Sequence, residues 1–214
     1  MPDKWTPAKA CMQDWLIMRV DEKESEIAEL SLSSGVTRIP YGYEYIGNNL
    51  RLVVTPLTDR CFRSMFLSLH NSHGIAVEGL ASSGKTETTK EMAKSAGKLC
   101  FVFNCSSNLD YGSLINFFKG FVSGGSWTCF DEFNKISPDL LSVLATTITQ
   151  VNQAIRTQKS EITFAESTKP IKVDPRCGIF VTMNTSPLTC SHEINIPRGL
   201  LNQFRSIQLI KPDL

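Results

Sequence analysis

The chain lacks an excess of either charge: 22 Lys and Arg against 21 Asp and Glu leave a net charge of +1 over 214 residues. A balance that even offers no basis for a nucleic acid or a membrane surface held by bulk electrostatics, and neither is expected as a partner. Paired cysteines are missing too. The seven present (Cys11, Cys61, Cys100, Cys105, Cys129, Cys177 and Cys190) are odd in number, have no CxxC spacing and fall mostly inside apolar runs. They read as reduced core residues of a cytoplasmic protein and argue against a disulfide or zinc framework. No apolar run approaches the roughly 20 residues of a membrane span. Asp3, Lys4, Lys9 and Asp14 break up the first residues, so a signal peptide is not expected. There is no internal repeat and no low-complexity tract.

The composition that is present is ordinary: 42% hydrophobic and 20% charged residues, enough for one sizeable α/β core plus an extension and too little for two large domains. Residues 1–39 differ in composition from the rest, with "WLIMRV", then "DEKESEIAEL", then the breaker "SLSSG". They predict a short helical or partly disordered N-terminal extension. From Pro40 to Leu214 the pattern is regular. Five short apolar runs ("GIAVEG", "LCFVFN", "SWTCFDE", "CGIFVTMN", "RSIQLIKP") have the near-continuous hydrophobicity of strands buried on both faces of a parallel sheet. Helical spacing lies between them, at "TPLTDRCFRSMFLSLH", "GKTETTKEMAKSAG", "DYGSLINFFKGF" and "SPDLLSVLATTITQVNQAI". In the last, Ser137 is placed to cap and Pro138 suits the first turn. The alternation in "SEITFAESTKPIKVDP" predicts a β-hairpin ahead of the fourth strand.

Gly79-x-x-x-x-Gly84-Lys85-Thr86 has the P-loop pattern. Its glycines let successive N–H groups turn toward phosphate oxygens, and the helix beyond it adds its positive end. Lys85 is placed to neutralise the β- and γ-phosphates, and the Thr86 hydroxyl to ligate Mg²⁺. The pattern arises by chance in about one chain in a hundred of this length, but here it comes after a predicted strand and opens a predicted helix, as the cradle requires. A second apolar strand ends in Asp131-Glu132, where one acid can hold Mg²⁺ through water and the next can polarise the attacking water. On bland grounds the pair is a solvated strand end. Asn184 closes a third strand and is placed to sense the γ-phosphate or the lytic water; the plainer reading is turn chemistry. Arg205 is either a cation at a helix end or an arginine finger toward a neighbouring subunit.

These four elements, in this order, resemble an AAA+ ATPase. The phrases "YGYEYIGNNLRLVVTPLTDRCFRSM", "GKTETTKEMAK", "FNCSSNLDYGSLINFFKG", "SWTCFDEFNKI" and "FVTMN" resemble the first AAA+ module of dynein heavy chains, from about Tyr41 to Pro212. The resemblance implies an AAA+ large subdomain with sheet order 5-1-4-3-2, and it leans toward the axonemal type. It implies ATP or ADP with Mg²⁺ as cofactors, held by Gly79, Leu80, Ala81, Ser82, Ser83, Gly84, Lys85, Thr86 and Glu87, with Pro56 and Leu57 beside the adenine. Thr86 and Asp131 would serve the metal, and Glu132, Lys85, Asn184 and Arg205 the catalysis. It implies an insert hairpin facing a mechanical linker, residues 1–39 as a linker remnant, and a chain that stops before the helical lid. The implied partners are further AAA+ modules of a dynein ring and, through a parent chain, intermediate and light chains and microtubules. The implied setting is cytoplasm and cytoskeleton, in the cilium axoneme.

Two departures are visible in the residues. Leu80 and Ser82 stand where the family usually has Pro and a third Gly, which narrows backbone freedom in the loop. The loop after Asn184, "TSPLTCSHEINIP", is longer than the family's and has no arginine before Arg198. The expectation is therefore an ATP-hydrolysing motor module that turns over weakly or not at all as this isolated chain. The alternative is a nucleotide-binding assembly module with negligible turnover.

Overall fold

The computed structural model describes residues 17–21, 29–34, 37–48, 50–106, 109–164, 169–184 and 196–210. Its first elements are three antiparallel strands, β1 (Ile17–Asp21), β2 (Glu29–Ser34) and β3 (Thr37–Pro40), paired in that order. This corrects the helical reading of the lead-in. The helix-forming run "DEKESEIAEL" contributes only Asp21, Glu29 and Leu30 to strands, and the rest of it lies outside the described residues. Beyond that run, a period-two Leu-Ser alternation and a Thr-Arg-Ile stretch both suit strands. Leu32 is fully buried in the same apolar cluster as Phe62, Met65 and Val77, so this small sheet packs on the core of the main unit.

Helix α1 (Pro56–His70) begins at a reciprocal cap: Thr55 Oγ1 accepts from the Thr58 N–H at 3.3 Å, and Thr58 Oγ1 accepts from the Thr55 N–H at 2.8 Å. It leads into β4 (Gly74–Gly79), α2 (Lys85–Ser95), β5 (Cys100–Asn104), α3 (Tyr111–Gly124) and β6 (Trp127–Asp131). After a 3₁₀ turn (Phe133–Lys135) come α4 (Pro138–Arg156), the hairpin β7 (Glu161–Ile162) and β8 (Ile171–Lys172), β9 (Gly178–Asn184), the single turn α5 (Arg198–Leu201) and β10 (Phe204–Leu209). Ser137 does precede α4, but its side chain makes no capping hydrogen bond.

The main sheet is parallel throughout, in the order β10-β4-β9-β6-β5. Counting its strands from β4 in chain order gives 5-1-4-3-2, the expected arrangement. Its central strands are apolar on both faces because helices cover both. Ile75, Val77 and Phe180 face a core with α1 and α2, while Ala76, Ile179, Val181 and Met183 face one with α3 and α4. Burial pushes the thiols of Cys100, Cys105 and Cys177 up to about 12, and it also raises that of Cys129 well above the usual thiol range. All five described cysteines are free.

The segment between β3 and α1 is strapped across the far end of α2. The Gly42 and Glu44 N–H groups donate to the Ala96 and Gly97 carbonyls at 3.0 and 2.9 Å, and the Tyr41 ring fills the space a Cβ on Gly97 would need. Glu44 then pairs with Lys98 at 2.9 Å and accepts from the Leu99 N–H at 2.6 Å. The Lys98 side chain is 5% exposed and that of Glu44 31%. Removing one partner of such a pair leaves a buried charge uncompensated, a loss of about 3–5 kcal/mol when both are fully buried. Glu44→Ala is expected to lower unfolding stability by about 3 kcal/mol, the low end of that range. An unchanged urea midpoint would show that the strap carries no stability.

Candidate functional site

A parallel sheet gathers the carboxyl ends of its strands at one edge, where ligands of such folds bind. Here Gly79 of β4 is level with Asn184 of β9, and Asn104 of β5 with Asp131 of β6. The register alone therefore brings the loop Leu80–Gly84, the acids at the end of β6 and Asn184 to the same edge.

The loop turns through two residues with positive φ, Ser82 at 60° and Gly84 at 82°, the latter immediately preceding α2. Lys85 is buried, and its ammonium donates to the Leu80 carbonyl at 2.7 Å and the Gly79 carbonyl at 3.3 Å. An ammonium has three N–H donors, so one is left over. Burial lowers the Lys85 pKa, partly offset by the nearby charges of Asp131 and Glu132. Glu87, in the first turn of α2, is exposed and pairs with Lys90 at 2.7 Å.

Thr86 Oγ1 donates to Asp131 Oδ1 at 2.7 Å, joining the start of α2 to the end of β6. The same oxygen accepts from Thr182 Oγ1 at 2.5 Å, and Thr182 Oγ1 in turn accepts from the Glu132 N–H at 3.0 Å. Glu132 sits at φ 55°, where the strand breaks into the 3₁₀ turn, and its carboxylate pairs with Lys135 at 2.6 Å. Both side chains of that pair are largely open to water (53% and 40% exposed), so its contribution to stability is small.

Lys85, Thr86 and Asp131 are thus brought together, with Glu132 and Asn184 at adjacent strand ends. Pro56 and Leu57 begin α1, and Leu57 lines a groove of about 300 Å³ against Leu209 of β10 and Ile210 just after it. Leu209 is level with Gly79, which places this end of the groove by the loop. Arg205 is exposed and level with Ile75, four residues before that row and roughly 13 Å along the strand. It stands apart from Lys85, Thr86 and Asp131 but lines the far end of the same groove. The loop after Asn184, residues 185–195, and its departure from the family's wording lie outside the described residues.

The arrangement suits a magnesium nucleotide. Among the described residues no group of three His, Cys, Asp or Glu side chains could hold a metal unaided. One hydroxyl and one carboxylate form a set that Mg²⁺ completes with phosphate and water oxygens. The Ser83 hydroxyl is buried beside Gly79 without a hydrogen-bond partner among the described residues, a polar atom that a phosphate oxygen would satisfy. Thr182 and Lys135 were not singled out in the sequence. For Thr182 there was a signal, a hydroxyl inside an apolar run predicted to be buried on both faces.

Over residues 41–214 the chain matches the family described as the hydrolytic ATP binding site of dynein motor region. It is 45% identical over 177 residues to dynein axonemal heavy chain 3 of Mus musculus and to its Homo sapiens counterpart, across 83% of this chain. It is 44% identical over 174 residues to the dynein-1-alpha heavy chain of the flagellar inner arm I1 complex of Chlamydomonas reinhardtii. The chain spans 4% of the length of each of these relatives.

The loop geometry predicts the effect of one substitution. A side chain held in the left-handed region costs about 1–2 kcal/mol, against which glycine loses about 0.5–1 kcal/mol more backbone entropy on folding. Ser82→Gly is therefore expected to raise unfolding stability by about 0.5–1 kcal/mol, and Ser82→Ala to leave it near that of the wild type. A lower urea midpoint for the glycine variant would contradict the strain at this position.

Proposed function

The chain belongs to the dynein heavy-chain family, and we propose that it binds Mg-ATP at the loop Gly79–Thr86 and hydrolyses it as part of a motor. The observation that carries this reading is the 2.7 Å hydrogen bond from Thr86 to Asp131, formed beside a buried lysine whose ammonium is already held at the loop. In the hydrolytic step a water oxygen attacks the γ-phosphorus, the bond to the β,γ-bridging oxygen breaks, and ADP and inorganic phosphate form. Glu132 takes the proton from that water. Lys85 directs its remaining N–H at phosphate oxygens, and Asn184 orients the γ-phosphate or the water. Magnesium, held by Thr86 and Asp131, supplies charge neutralisation when bound.

Leu57 and its groove against β10 provide an apolar surface for the adenine. Arg205, exposed and remote from Lys85, is suited to a neighbouring module's site. The axonemal relatives support placement in a ring of AAA+ modules that moves on microtubules in the axoneme.

Charge-assisted hydrogen bonds contribute about 1.5–3 kcal/mol each, so Lys85→Ala is expected to weaken nucleotide binding by about tenfold or more. Glu132→Gln is expected to keep nucleotide bound and to slow single-turnover hydrolysis by about 10²–10⁴. Calorimetry showing equal affinity for the Lys85 variant would remove the cradle. Nucleotide bound normally with no turnover even in the wild type would favour the assembly-module reading.

A further inference from the structure

Thr182 lies in the middle of the sheet, on the strand between β4 and β6, and is fully buried between Val181 and Met183. Its hydroxyl is the atom that joins the two acids. A hydroxyl has one proton and two lone pairs. The Glu132 N–H is itself a donor, so Thr182 Oγ1 must accept there, and its proton goes to Asp131 Oδ1. The direction of both bonds is fixed by valence.

The bridge shapes the site in three ways. Asp131 Oδ1 is occupied by two hydroxyl donors, which fixes the plane of the carboxylate, and Oδ2 accepts no hydrogen bond from the described residues. Thr86 spends its single proton on the same oxygen, so its lone pairs are free to meet a cation. The N–H of Glu132, at the break from strand to turn where φ is 55°, has its acceptor inside the sheet. Thr182 is β-branched and stiff about χ1, and its strand is held on both sides, so it can serve as a rigid reference for both acids.

We propose that Thr182 is a positioning residue that aims Asp131 at the cation and fixes the turn carrying Glu132. The proposal rests on the magnesium-nucleotide reading above. Outer partners of metal ligands typically affect metal affinity or activity by about 10–100-fold.

The test uses the full chain with fluorescent ADP titrated in EDTA and at rising Mg²⁺, together with single-turnover ATP hydrolysis. For Thr182→Val the expected results are unchanged Mg-free affinity, a Mg²⁺ requirement raised by about tenfold or more, and hydrolysis slowed by about 10–100-fold. Thr182→Ser, which keeps the hydroxyl, should return both to within about threefold of the wild type. A merely structural role would shift Mg-free and Mg-dependent binding alike. A Val variant with wild-type Mg²⁺ dependence, or a Ser variant as impaired as Val, would overturn the proposal. If the Val variant does not fold, Thr182→Cys, a weak donor, should shift the Mg²⁺ requirement in the same direction, and an unshifted requirement would overturn the proposal. Loss of binding in Lys85→Ala with a normal Val variant removes only the role of Thr182. Normal binding in Lys85→Ala removes the nucleotide reading itself.

Discussion

Asp131 Oδ1 receives hydroxyl hydrogen bonds from Thr86 at 2.7 Å and Thr182 at 2.5 Å, and through them the first turn of α2, the end of β6 and the middle of β9 meet at one atom. The backbone carbonyl of Asp131 is also occupied, by the Cys105 N–H at 2.9 Å, which ties in the end of β5. Removing that carboxylate would leave buried or half-buried hydroxyls on two elements without their acceptor. The chemistry proposed for the edge therefore depends on an arrangement that the interior of the sheet enforces. Ser82 before the helix and Glu132 after the strand both sit at positive φ, and backbone strain of this kind commonly collects at functional sites.

Helix α2 is constrained at both ends by different means. Its N-terminal end carries Lys85, whose ammonium is held by two loop carbonyls, and its C-terminal end is covered by the strap from Gly42 to Glu44. The strap continues directly from β3, whose sheet buries Leu32 against α1 and β4. A displacement of α2 along its axis would therefore be opposed at one end by the loop and at the other by the Glu44–Lys98 pair. The same pair places the Glu44 carboxylate, from the segment between β3 and α1, 2.9 Å from the Lys98 ammonium, just beyond the end of the helix.

The five strands and four long helices of the main unit were legible because each strand is a short apolar run and each helix shows its own period. The hairpin ahead of β9 was legible from its alternation. The lead-in was misread as helical because "DEKESEIAEL" is rich in helix formers and outweighs the short Leu-Ser alternation beyond it, whose Leu32 packs against α1. The P-loop could be read from spacing alone. The bridge through Thr182 could not, because Thr128 on β6 offers the same sequence signal, a threonine in a buried apolar strand, and its hydroxyl has no partner among the described residues. Only strand register, Phe130 level with Val181, shows which of the two threonines reaches the acids. The conformation of Ser82 was foreshadowed by its standing where the family usually has glycine, and the structure gives it the φ of 60° that explains the preference.

The central claim is that Mg²⁺ and nucleotide phosphates are held where Lys85, Thr86 and Asp131 converge. Amide chemical shifts monitored through a titration with Mg-ADP test it most directly. The account predicts saturable changes that are largest at Gly84, Lys85, Thr86 and Glu132, with smaller ones at Asn184. Changes centred on the α3–α4 face, or no saturable change at the loop, would contradict it.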